Sequence, residues 1–183
     1  THWQQVELPF HRRRGAEHEV AVTWGKVADV LQTRGHLQDA LRIRLEEQLP
    51  VFERLGDLSG AAIAAGKVAD ILEDQGRLNE ALQIREKQLS VFERLGDERW
   101  QAITKGRIAL ILATRGQLDE ALRIWRDEQI PVFERLGDVR LKAVALGRIA
   151  DVLRARGETE EALRIRREQL TVFERLGDVR ERA

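Results

Sequence analysis

Cysteine, methionine and tyrosine are absent from the 183 residues of this sequence, and histidine occurs only four times. With no cysteine, disulfides and thiolate metal sites are excluded. The histidines, His2, His11, His18 and His36, show no metal-binding spacing such as HExxH and are expected on solvated surface. A charge excess of either sign is missing too. Lys and Arg total 31, as do Asp and Glu, so no basic excess is available to hold a nucleic acid. No apolar run approaches the ~20 residues of a membrane span. Neither nucleic acid nor membrane is therefore expected as a partner. Phosphate-cradling loops of the GxxxxGK[ST] or GxGxxG kind are lacking, and no Ser/His/Asp set stands apart. Catalysis is not expected, and neither is a cofactor or a metal.

What is present is repetition. The heptapeptide VFERLGD stands at Val51–Asp57, Val91–Asp97, Val132–Asp138 and Val172–Asp178, at spacings of 40, 41 and 40. A fixed period of this size marks a repeat array. Aligned on it, a first segment reads GKVADVLQTRG from Gly25, GKVADILEDQG from Gly66, GRIALILATRG from Gly106 and GRIADVLRARG from Gly147. Val27, Ala28 and Leu31 recur at helical spacing, and Leu37, Ala40, Leu41 and Ile43 lead a second amphipathic stripe into Val51, Phe52 and Leu55. Each unit is therefore read as two helices. Gly35, Gly76, Gly116 and Gly157 are placed to end the first helix, and Gly56, Gly96, Gly137 and Gly177 the second. Asp57, Asp97, Asp138 and Asp178 follow at once as N-caps. Connections this short make neighbouring helices antiparallel.

The run from Ile108 to Leu112 and on through Gly116-Gln117-Leu118-Asp119-Glu120-Ala121 resembles a tetratricopeptide repeat. The resemblance is to the longer variety of kinesin light chains and of the sensor arrays of bacterial signal-transduction ATPases. Its small packing residue matches Ala28, Ala69, Ala109 and Ala150, and its second-helix alanine matches Ala40, Ala81, Ala121 and Ala162. The resemblance implies an all-α fold, an α-solenoid of stacked antiparallel helix pairs. Expected repeats run over 16–56, 57–96, 97–137 and 138–177, with 1–15 a degenerate helix or junction and 178–183 a truncated further start. The chain begins at Thr1 and stops inside another copy, so a piece of a longer protein is expected, with the cytoplasm as its compartment.

Such arrays bind protein segments in a groove. By the resemblance, its lining falls on Val22, Gly25, Asp29 and Gln32, then Ile63, Gly66, Asp70 and Glu73. In the later repeats it falls on Ile103, Gly106, Leu110 and Ala113, then Val144, Gly147, Asp151 and Arg154. The kinesin-type asparagine pair is replaced by Gly25-Lys26 and its counterparts, so clamping by asparagine does not carry over. A mid-helix glycine costs about 0.5–1 kcal/mol against alanine. Close helix packing and an open groove both account for it; the open site is expected for the middle glycines, because Val68, Ala69 and Leu72 already supply that helix's buried stripe. Asp29, Asp70 and Asp151 would make the groove acidic, unless they pair along the helix with Lys26, Lys67 and Arg148. Trp24 and Trp125 are expected in the core and Trp100 at the surface.

The expected function is a non-catalytic scaffold for a protein or peptide. The alternatives are the sensor array of a larger signalling protein and a spacer without ligand. Weak end-to-end self-association is expected through an apolar side formed by Leu170, Phe173 and Leu176. The stretches Ala40–Phe52 and Ala121–Phe133 span 12 steps, and Ala81–Phe92 and Ala162–Phe173 span 11. The longer ones alone carry Pro50 and Pro131. One extra residue beside a proline predicts a π-bulge or kink there, and straight helices at Ser90 and Thr171.

Overall fold

The structure, a computed structural model, describes residues 16–177. The expectations for 1–15 and 178–183, including the cap at Asp178, lie outside the described residues. Those described form helices only, with no strand among them. In order these are α1 (Glu17–Thr33), α2 (Leu37–Leu55), α3 (Leu58–Asp74), α4 (Leu78–Leu95), α5 (Glu98–Thr114), α6 (Leu118–Arg135), α7 (Val139–Ala155) and α8 (Thr159–Arg175). They form an all-α solenoid of helix pairs. The chain divides into two compact units, one ending at Gly96 and the other starting at Asp97.

The connections follow from local chemistry. All eight loop glycines take positive φ, between 67° and 84°, a region closed to most side chains. At the first VFERLGD the Gly56 amide donates to Glu53 O at 3.1 Å and the Asp57 amide to Phe52 O at 3.0 Å. This double bond pattern satisfies carbonyls left open at a helix end. The Asp57 carboxylate then accepts from the Gly60 amide at 2.8 Å, and Asp97 and Asp138 do the same for Trp100 and Leu141. A cap of this kind contributes about 1 kcal/mol.

The heptapeptide's phenylalanine anchors each pair. Phe52, Phe92, Phe133 and Phe173 are at most 5% exposed, and burying such a side chain contributes roughly 1.5–3 kcal/mol. Phe173 is therefore not part of an open apolar side, contrary to expectation; only its neighbours Leu170 and Leu176 are exposed. The alanines at the helix crossings, Ala28 and Ala40 in the first repeat, are fully buried, because only a small side chain lets two backbones approach there.

The irregularities fall where the length count puts them. Helix α2 contains a π-helical stretch at Arg44–Gln48, and α6 one at Ile124–Gln129, each ending just before the Leu49-Pro50 or Ile130-Pro131 pair. Helices α4 and α8, one residue shorter in this interval, are α-helical throughout. The bulge has a packing consequence. It lets the longer helices carry an extra residue and still bring Gln48 and Gln129 against the same glycine position as Gln88 and Gln169.

Candidate functional site

The mid-helix glycines are seats for glutamines. Gly25, Gly66, Gly106 and Gly147 are all buried. A Cβ on any of them would collide with the side-chain amide of Gln48, Gln88, Gln129 or Gln169 from the second helix of the same repeat. This corrects the open-site expectation for Gly66 and Gly106: both are close packing contacts. Three of these amides donate to a first-helix carbonyl four residues before the glycine. Gln88 Nε2 reaches Ala62 O, Gln129 Nε2 reaches Ala102 O and Gln169 Nε2 reaches Ala143 O, each at 3.0 Å.

The acidic cast is corrected as well, since the aspartates are answered from the second helix. Asp29 accepts from Arg44 at 2.6 Å, Asp151 from Arg166 at 2.5 Å, and Asp70 from Arg85. Each arginine also donates to its glutamine: Arg44 to Gln48 at 2.5 Å, Arg85 to Gln88 at 3.1 Å and Arg166 to Gln169 at 2.7 Å. In repeat 2 the relay runs from Asp70 and Glu73 through Arg85 and Gln88 to the backbone beside Gly66. Arg85 is only 4% exposed, and a buried guanidinium persists only when paired. Burial pushes the Arg44 guanidinium below its ordinary value, opposed by the carboxylates of Asp29 and Asp70. Pairing along the helix is secondary: Lys67 stands 3.8 Å from Asp70, and 3.9 Å from Asp29 one repeat away.

Repeat 3 replaces both partners together. Leu110 stands for the aspartate and Trp125 for the arginine. Trp125 is buried, as expected, and donates from Nε1 to Gly106 O at 3.1 Å. Trp24 packs half-buried against the first repeat's core, and Trp100 is likewise half-buried. With no arginine beside it, Gln129 Oε1 is buried without a hydrogen-bond partner.

Of the sixteen groove positions, the structure brings Val22, Gly25, Asp29 and Ile63 together. They line a cleft of about 440 Å³ between α1 and α3, together with Lys26, Lys67, His18, Phe52 and Asp57. Val22 is 38% exposed, and the His18 ring meets Phe52 edge-on at 5.5 Å. The cleft exists partly because repeat 2 has Ser59-Gly60 where the later repeats have Arg99-Trp100 and Arg140-Leu141. Gln32 points elsewhere, donating to Asp74 at 2.8 Å, and Glu73 is taken up by Arg85. Leu110 and Ala113 pack against the core of the second unit. Asp151 and Arg154 line a separate cleft of about 260 Å³ against Arg166. Ile103 and Val144 are half-buried. The residues missed in the sequence were the arginines and glutamines of the second helices. Their signal was internal: where the aspartate becomes leucine, the arginine becomes tryptophan.

The tetratricopeptide-repeat family model matches residues 60–126. Over those residues the helix pairs match tetratricopeptide repeats, and the described chain is an all-α, TPR-like solenoid. Solved structures agree in fold. Aspartyl phosphate phosphatase F from Bacillus subtilis superposes with a TM-score of 0.79 at 15% identity, over 89% of this chain and 42% of that one. BtubC from P. vanneervenii gives 0.72 at 14% identity, over 88% and 66%. The nearly identical TPR-like repeats of a Podosopora anserina protein classed with kinesin light chains give 0.68 at 13%, over 96% and 85%. The chain thus spans less than half of the phosphatase and about two thirds of BtubC. No curated protein matches in sequence. None of the described helices is long and apolar enough to cross a membrane.

Proposed function

We propose that the first unit binds a protein segment in the cleft between α1 and α3, as a non-catalytic scaffold. The observation that carries this is the conjunction of exposed Val22 and half-buried Ile63 with Lys26 and Lys67 around an open volume of about 440 Å³. Apolar walls bury a side chain and a few polar groups orient it, the ordinary composition of a binding cleft. The glycine seats support the reading indirectly. Arg44 and Gln48, locked against Gly25, form a floor already held in place, so little ordering is needed when a segment enters. An array of this kind can also serve as the sensor part of a longer signalling chain; the greater length of the phosphatase and of BtubC is the observation that favours this second reading.

Selection of a displayed peptide library on the whole chain tests the proposal. Selected peptides should perturb the backbone resonances of Val22, Lys26, Ile63 and Lys67 and lose binding about tenfold on Ile63→Glu. Peptides that perturb none of these positions, or a selection that yields no binder, would sink it and leave the spacer reading.

A further inference from the structure

The first unit carries a second opening, on a side the cleft between α1 and α3 does not reach. It is a furrow of about 320 Å³ between α2 and α4, over α3. Its walls are almost wholly aliphatic: Leu45 and Leu49 from α2, Leu58, Ala61 and Ala65 from α3, and Val91 from α4. Leu45 is 46% and Leu58 54% exposed. Two charged side chains stand on opposite rims, Glu53 on α2 and Lys87 on α4. Neither has an ion pair or hydrogen bond among the described residues.

The second unit shows what a furrow of this kind accepts. There Lys142 takes the place of Ala61 and Leu146 that of Ala65, while Glu134 matches Glu53 and Glu168 matches Lys87. Lys142 Nζ lies 2.8 Å from Glu134 and 3.7 Å from Glu168. An aliphatic stem and its cation thus cross the gap, and the cleft of about 510 Å³ left beside them sets four charged residues, Glu134, Lys142, Glu168 and Arg175, among Phe133, Val139 and Val172. In the first unit the acid is present and the stem and cation are missing. Where the second unit has a second acid, the first has a base.

From these observations we infer that this furrow is a docking site for an amphipathic helix of a partner protein. Its aliphatic face lies on Ala61 and Ala65, a basic side chain meets Glu53 and an acidic one meets Lys87. Charge complementarity selects this occupant: a second aliphatic surface alone would leave both rim charges unanswered as water is excluded. Leu45 to Glu53 spans eight steps, about 12 Å of helix at 1.5 Å per residue. That matches roughly two turns of a partner helix with anchors at i, i+4 and i+7.

The probe is a panel of soluble helical peptides with leucines at those three positions and rim charges arranged base-then-acid, acid-then-base, or neutral. Binding to the whole chain is followed by fluorescence anisotropy. One charged arrangement should bind about tenfold more tightly than its reverse, and Lys87→Glu should remove or invert that preference. Ala61→Lys, which installs the second unit's own plug, should weaken binding at least tenfold while circular dichroism stays unchanged. Four outcomes would overturn the inference: no peptide binds, binding ignores Ala61→Lys, charge order makes no difference, or the unliganded chain self-associates in a way that Ala61→Lys abolishes. The last would make a second copy the occupant.

Discussion

Repeats 2 and 3 hold the same helix pair together by opposite chemistry. In repeat 2 the interface contains Asp70, Glu73, Arg85 and Gln88, all hydrogen-bonded and mostly buried. In repeat 3 the same places hold Leu110, Ala113, Trp125 and Gln129; the indole N–H bonds the Gly106 carbonyl instead, and Gln129 Oε1 is left without the donor that the guanidinium supplies in repeat 2. The difference teaches that a buried ion pair is one solution among several here. A well-packed apolar pair of similar volume is often as stable. What neither repeat can do without is the glycine under the glutamine, because the amide lies against backbone that a Cβ would cover.

The comparison breaks most visibly if only one partner is exchanged. Trp125→Arg should cost about 3–5 kcal/mol in chemical denaturation, since it sets a buried charge beside Leu110 with no carboxylate. Adding Leu110→Asp should recover much of the loss. A double-mutant cycle showing no coupling between the two positions would contradict the paired replacement. Gly66→Ala should be next, costing about 1–3 kcal/mol by displacing Gln88 from Ala62 O and Arg85. In a Gln88→Ala background the same change should turn neutral or stabilising, by up to about 1 kcal/mol, because only the unfolded-chain effect remains. The same sign in both backgrounds would exclude the glutamine seat.

Acid sharpens the contrast on a smaller scale. The hydrogen bond from Lys105 at 2.6 Å, and then that from Arg123, hold the Glu128 carboxyl below its usual range, against partial desolvation. Its folded pKa lies below its unfolded one. The contribution is therefore complete above the unfolded value near 4.3, and is lost as pH falls through the lower folded value. Melting of Glu128→Gln should be less acid-sensitive than wild type below about pH 4, by under ~1 kcal/mol because the pair is partly solvated. Equal acid sensitivity would show the pair contributes nothing. Smallest of all, Pro50→Ser should change stability within about 0.5 kcal/mol and leave the π-bulge in place. The extra residue between Arg44 and Gln48, and not the proline, keeps the glutamine on its glycine. Hydrogen exchange showing an unbroken α-helix after that single change would reverse the assignment.

Much of the architecture was legible in the sequence because its causes are local. VFERLGD ends a helix, turns and caps the next within a few residues, so φ, capping and helix count follow from short-range chemistry. The π-bulges were legible too, from a one-residue difference in length. Gly66 was misread because its contact, Gln88, lies 22 residues away on another helix, and periodicity along α3 says nothing of what leans on it. Asp70 was misread for the same reason: its neighbour Lys67 is visible on the helix, while Arg85 arrives only when the pair closes.

The sequence by itself determined the repeat, its two helices, their ends and their antiparallel order, because hydrogen bonding and backbone conformation act over a few residues. Only the tertiary structure decided which small residues are seats and which are openings. Gly66 and Ala61 lie five residues apart on α3, yet a neighbour's amide covers the first and an open furrow lies over the second. That distinction depends on what the adjacent helices bring to the surface of α3, a packing outcome that no single segment encodes.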